Sequence, residues 1–187
     1  MKRLFFLLLI PLILLACRSD KKAEANLISY SSPNYPVAFM MPEGWAISDD
    51  EDSITIATQE GLLLAASVIE GARINIIVTP SFFVGSTNAT EIIDTAVRNF
   101  REQAGAEIIQ EIQPIVINSQ QATETVLRGN DSQGNEVILR YLLIENPTIN
   151  QTAVIAAVHD ASQNNVYGQL MADIVASIQL VDASSEQ

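Results

Sequence analysis

One cysteine, one histidine and one tryptophan stand among 187 residues, and each scarcity closes a class of chemistry. Cys17 is alone, so no intrachain disulfide forms and the fold has to be held by packing. A single histidine beside a single cysteine excludes a zinc site of the usual histidine and cysteine composition. His159 is the sole imidazole base for a serine or cysteine nucleophile, and no nucleophile-elbow motif accompanies it. Neither a phosphate-binding loop nor a glycine-rich dinucleotide fingerprint occurs. Bases are also few: 10 Lys and Arg face 22 Asp and Glu, for a net charge of −12. That balance disfavours nucleic acid and anionic lipid headgroups, which are recognised by basic patches.

What is present begins with Lys2 and Arg3, a short apolar run over residues 4–16, and Leu14-Leu15-Ala16-Cys17. The run falls short of the roughly 20 residues that a spanning helix requires, and it ends on a small residue, as a secretory leader does. The last four residues are a lipobox. Residues 1–16 are therefore expected to be a lipoprotein signal peptide, with Cys17 the first mature residue, alkylated by a diacylglyceryl group bearing acyl chains such as palmitate. Loss of Lys2 and Arg3 leaves 8 basic against 22 acidic residues, a charge of −14, so membrane contact is assigned to the lipid.

An apolar fraction of 48% against 17% charged residues is that of a chain able to build a core, and the length suits one domain. Residues 17–36, polar and then rich in Ser, Pro and Asn, read as a flexible tether, 37–182 as the domain and 183–187 as a frayed tail. Residues 37–41 and 45–47 flank Pro42-Glu43-Gly44 and predict a hairpin or bent strand, with Trp45 in the core. Asp49, Asp50 and Asp52 are the candidate metal ligands. Without the alternating spacing and central glycine of a calcium loop they predict a solvated turn into a strand over 53–58. Residues 61–71 fit a short buried helix or a strand, with the helix favoured, 73–79 a strand, and the segment around Phe82 and Phe83 a loop.

Asn88 and Glu91 have capping-box spacing, with Ile92, Ile93, Ala96, Val97 and Phe100 on one face and Gly105 as a stop, predicting a helix. Residues 108–159 then change to strands over 112–117, 122–128, 136–145 and 152–158. Pro114 marks an edge or bulge and 137–144 is apolar enough to be central. Asp160 and Gln163 suggest a second capped helix with a stripe of Val166, Leu170, Ile174 and Ile178, widened by Tyr167, Met171 and Val175. His159 shares the face of Ala153, Ile155 and Ala157, and is expected at the rim of the core, partly exposed and dispensable. The elements together are an α+β domain.

Phe39-Met-Met-Pro-Glu-Gly-Trp45, the segment Arg140-Tyr-Leu-Leu-Ile144 and the closing Val175-Ala-Ser-Ile-Gln-Leu180 resemble the PsbP-like family over nearly the whole mature domain. The resemblance implies an antiparallel sheet sandwiched by helices in an α/β/α arrangement, and it implies no enzyme activity. The family includes the extrinsic photosystem II protein, a Ran-binding nuclear import factor and lipid-anchored bacterial members, but no partner-binding residue of those proteins maps onto this chain. Residues 119–122 lack the turn glycine frequent in such proteins, a role Asn118 can take in a left-handed conformation. The function expected is a non-catalytic, lipid-anchored, extracytoplasmic binding or accessory module, without cofactor, facing a protein partner. The alternative is a small-molecule or metal-ion carrier with its ligand between helix and sheet or in the acidic turn; a hydrolase built on paired carboxylates ranks below both.

Overall fold

Period-two alternation in four long segments puts apolar side chains on both faces of a sheet, and two amphipathic helices cover those faces. The computed structural model describes residues 25–81 and 88–182. Strands β3 (Ala46–Asp49), β4 (Ile54–Ala57), β5 (Ala72–Pro80), β6 (Glu107–Ile117), β7 (Gln120–Asn130), β8 (Glu136–Asn146) and β9 (Gln151–Asp160) form one antiparallel sheet. Its order is β3-β4-β5-β9-β8-β7-β6. A second sheet of three strands, in the order β1-β2-β10, joins β1 (Leu27–Ser31), β2 (Val37–Pro42) and β10 (Gln179–Leu180).

Helix α1 (Ala89–Ala104) starts where Asn88 accepts the Glu91 amide on its side-chain oxygen at 2.9 Å, and stops at Gly105, whose φ is 60°. It buries Ile93 and Val97 against Leu127 of β7 and Leu143 of β8. Each such burial contributes about 1.5–3 kcal/mol. Gly129 lets the helix end come close: a Cβ there would lie 2.8 Å from that of Ala106 and 3.2 Å from the Phe100 ring. Helix α2 (Asn164–Ser177) covers the opposite face, packing Met171, Ile174 and Val175 with Phe39 and Met41 of β2 and Leu142 and Ile155 of the large sheet. The α+β sandwich expected from the sequence is the fold observed.

Pro114 lies on the edge strand β6, whose register with β7 shifts twice, and β8 is interior, as read. Asn118 and Ser119 turn β6 into β7 with φ of 47° and 65°, which supplies the left-handed turn without glycine. Four expectations change. Residues 27–31, assigned to the tether, form β1: Tyr30 stacks 5.2 Å from Phe39 and donates its hydroxyl to Asp49 at 2.7 Å. The strand edges a small sheet and stays half-exposed, so it leaves no apolar period. Of the hairpin or bent strand expected around residues 42–44, the hairpin does not close, because Gly44, at φ 86°, carries the chain from one sheet to the other.

Residues 61–71 hold only the end of a short 3-10 turn, Glu60–Leu62, in place of the expected helix. Arg73 takes up the carbonyls of Leu62 and Ala65, and of the large apolar side chains only Leu62 and Val68 are buried, with Leu64 94% exposed, so no helical stripe exists to pack. In α2 the stripe packs as read at Tyr167, Leu170, Met171, Ile174 and Val175, with Ile178 buried just past the helix, but Val166 drops out of it and is exposed. The signal peptide and Cys17, the first part of the tether, the Phe82-Phe83 loop and the tail at 183–187 lie outside the described residues.

Candidate functional site

Alternation along β7 points Glu124, Val126 and Arg128 to the α2 side of the sheet, and the same rule brings Ile138 and Arg140 of β8 and His159 of β9 beside them. Asn164 and Gly168, one helical turn apart on α2, form the opposite wall. Gly168 keeps this wall thin, since a Cβ there would come 2.5 Å from Asn164 Oδ1. Between helix and strands lies a cleft of about 470 Å³.

Arg140 Nη1 forms an ion pair with Glu124 Oε1, and Gln110 on β6 donates Nε2 to the other carboxylate oxygen at 2.7 Å. Both oxygens of a carboxylate that is nearly buried are thus engaged. His159 is 4% exposed, not at the partly exposed rim expected for it, because the start of α2 folds over the end of β9. Its Nε2 lies 3.0 Å from Asn164 Oδ1; an amide oxygen only accepts, so Nε2 carries the proton. Burial, aided by the positive charge of Arg140, pushes the His159 pKa down, against the Asn164 hydrogen bond and the Asp160 charge, so the ring is neutral at pH 7. Arg128 differs from its neighbour: its Nε is buried and meets no acceptor among the described residues.

These groups present donors to the cleft and one positive charge that no carboxylate among the described residues pairs with. They do not align a base with a nucleophile: the protonated nitrogen of His159 faces Asn164, and Asp160 caps the 3-10 turn Ala161–Gln163 through the Ser162 amide at 2.8 Å.

The acidic turn links β3 to β4 as a hairpin connection. Asp49 accepts the Tyr30 hydroxyl and, at 3.0 Å, the Asn34 amide; Asp50 accepts the amides of Asp52 and Ser53 at 3.2 and 3.3 Å, which hold its pKa down. Burial first, and then the bond to Asp49, push the Tyr30 pKa up to about 12. The Asp49 side chain thus ties β1 and the loop after it to the hairpin and that of Asp50 serves the turn, and among the described residues no three His, Cys, Asp or Glu side chains form a ligand group. Sequence reasoning passed over Glu124, Arg128 and Arg140. Their signal was charge placed at even spacing within strands that are otherwise buried.

No family model and no curated protein matches this sequence. Solved structures do. The Ran-binding protein Mog1p of Saccharomyces cerevisiae is 14% identical with a TM-score of 0.56, covering 86% of this chain and 98% of its own. Cyanobacterial PsbP (CyanoP) from Synechocystis is 15% identical with a TM-score of 0.58, over 83% and 93%. LpqN of Mycobacterium tuberculosis, described as involved in cell envelope biogenesis, is 11% identical with a TM-score of 0.57, over 88% and 97%. The chain therefore has the Mog1/PsbP-like α+β fold, in agreement with the resemblance carried by its motifs.

Proposed function

We propose that the protein is a lipid-anchored, non-catalytic accessory module, held at the extracytoplasmic membrane face by Cys17 and presenting its domain to a protein partner. The observation that carries this reading is the lipobox at residues 14–17 behind a short charged and apolar leader. The fold supports it, since one protein of like fold is described as Ran-binding and another as involved in cell envelope biogenesis. No helix among the described residues is long and apolar enough to cross a membrane, which accords with attachment through lipid. Leu64, 94% exposed, and Val116 on the edge strand, 72% exposed, are the large apolar side chains most open to a partner.

Replacement of Cys17 by Ser tests the anchor. The variant is expected in the soluble extracytoplasmic fraction, while the parent stays membrane-bound in high salt. Retention of the variant on the membrane, or release of the parent by salt, sinks the proposal. A photo-crosslinker at position 64 or 116 in the native host is expected to trap one protein reproducibly, and absence of adducts at both positions counts against the partner.

A further inference from the structure

We propose that the cleft between α2 and strands β6, β7 and β8 binds a small monocarboxylate with an apolar body, its carboxylate held by Arg128. This goes beyond anchorage and partner binding, and depends on neither.

Three observations converge. First, Arg128 lines the cleft with a buried Nε that no acceptor among the described residues satisfies, and a buried guanidinium donor left unmet is costly to the fold. Glu107, opposite Arg128 in the β6–β7 register, forms no ion pair with it. A carboxylate matches the planar guanidinium with two parallel hydrogen bonds. Second, the charges in the cleft select one negative charge. Arg140 is neutralised by Glu124 and His159 is neutral, which leaves the cation of Arg128. A doubly charged phosphate would bring two negative charges to the single cation that is left, with the second uncompensated. Among the described residues the only cations are Arg73, Arg98, Arg101, Arg128 and Arg140, and in so acidic a chain two of them meet here.

Third, the remaining walls are Ile109, Val126, Ile138 and Met171, an apolar surface for the body of the ligand. The volume of about 470 Å³ lies within the roughly 300–1,000 Å³ of small-molecule sites. At the lip, Asn164 Oδ1 is taken by His159 and Gln169 Nε2 donates to Asp173 at 2.7 Å, which leaves the Asn164 side-chain nitrogen and the Gln169 side-chain oxygen as neutral hydrogen-bonding groups.

Benzoate tests the proposal, with benzamide as its neutral counterpart and phenyl phosphate as the more highly charged one. Each is titrated calorimetrically into the intact chain in neutral detergent, with a detergent blank subtracted. Benzoate is expected to saturate one site and to bind at least tenfold more tightly than either control. Arg128→Gln should weaken benzoate at least tenfold, and Gln169→Glu, an exposed change that adds negative charge at the lip, several-fold. Arg98→Gln, on α1 across the sheet, should leave it unchanged. Failure of benzoate to saturate, equal binding of benzamide, tighter binding of phenyl phosphate or indifference to Arg128→Gln each overturns the assignment. If Arg128→Gln does not fold, Gln169→Glu decides, and unchanged affinity in that variant also overturns it.

Discussion

Arg140 on β8 and Glu124 on β7 meet diagonally across the sheet as an ion pair, because Arg140 lies opposite Val126 and Glu124 is two residues further along. Their side chains are 22% and 9% exposed, so both charges have lost much of their hydration and depend on one another. Glu124→Ala is expected to destabilise the domain by about 2–3 kcal/mol, less than a fully buried pair would, since Arg140 keeps some solvent. Replacing both residues by Leu should recover most of the loss. Urea denaturation of the two variants checks this, and a single-variant loss below about 1 kcal/mol would show that Arg140 finds solvent or another acceptor.

His159 makes stability depend on pH with a definite sign. Its folded pKa is lowered, so below the unfolded value of about 6.5 the unfolded chain holds more protons and stability falls with pH. Arg140 opposes protonation, whereas Asp160 and the Asn164 bond favour it. Between pH 7 and 5 the parent should lose stability toward a limiting slope of about 1.4 kcal/mol per unit, and His159→Gln should flatten that slope. At pH 7 the same change should cost about 1–2 kcal/mol, since it alters a buried, hydrogen-bonded ring. Parallel slopes for parent and variant would refute the linkage.

Asp131 ties the β7–β8 turn to the segment before β5. It accepts the Ser67 hydroxyl and, at 2.9 Å each, the amides of Gln133 and Asn135. Burial pulls its pKa up, but these bonds outweigh it and hold the carboxyl at about 2. Its contribution is therefore present above the unfolded value of about 3.9 and is lost as pH falls toward 2. Asp131→Ala should speed amide exchange across residues 62–70 and leave β8 and β9 protected. The stability gap between parent and variant should narrow from pH 4 to 2, and a constant gap would contradict this account.

Gly129 sits under the end of α1, where a Cβ would lie 2.8 Å from Ala106 Cβ and 3.1 Å from its Cα. Gly129→Ala is expected to cost about 1–3 kcal/mol despite the better strand propensity of alanine, since helix and strand must move apart. Calorimetric melting measures it; a neutral or stabilising outcome would mean that the contact yields freely.

The fold was legible wherever one local rule governed a whole element. Asn88 and Gly105 bound α1 as capping chemistry predicts, Pro114 falls on an edge strand, and Asn118 turns the chain with positive φ. Reading failed where a segment's conformation is set by distant groups. Residues 61–71 looked helical by composition, yet they are held by the guanidinium of Arg73 and the hub at Asp131. β1 looked like tether because half of each of its bonds to the fold, Phe39 for Tyr30 and Asp49 for its hydroxyl, comes from elsewhere in the chain.

By itself the sequence determined the alternation of strands, the capped first helix and the α+β class, since each depends on neighbours within a few residues. Only the tertiary structure decided that His159 is buried, that Arg140 is paired and that Arg128 has no ion-pair partner among the described residues. Register and helix placement settle these matters, because a charged side chain is defined chemically by what surrounds it, and its neighbours here come from four strands and a helix.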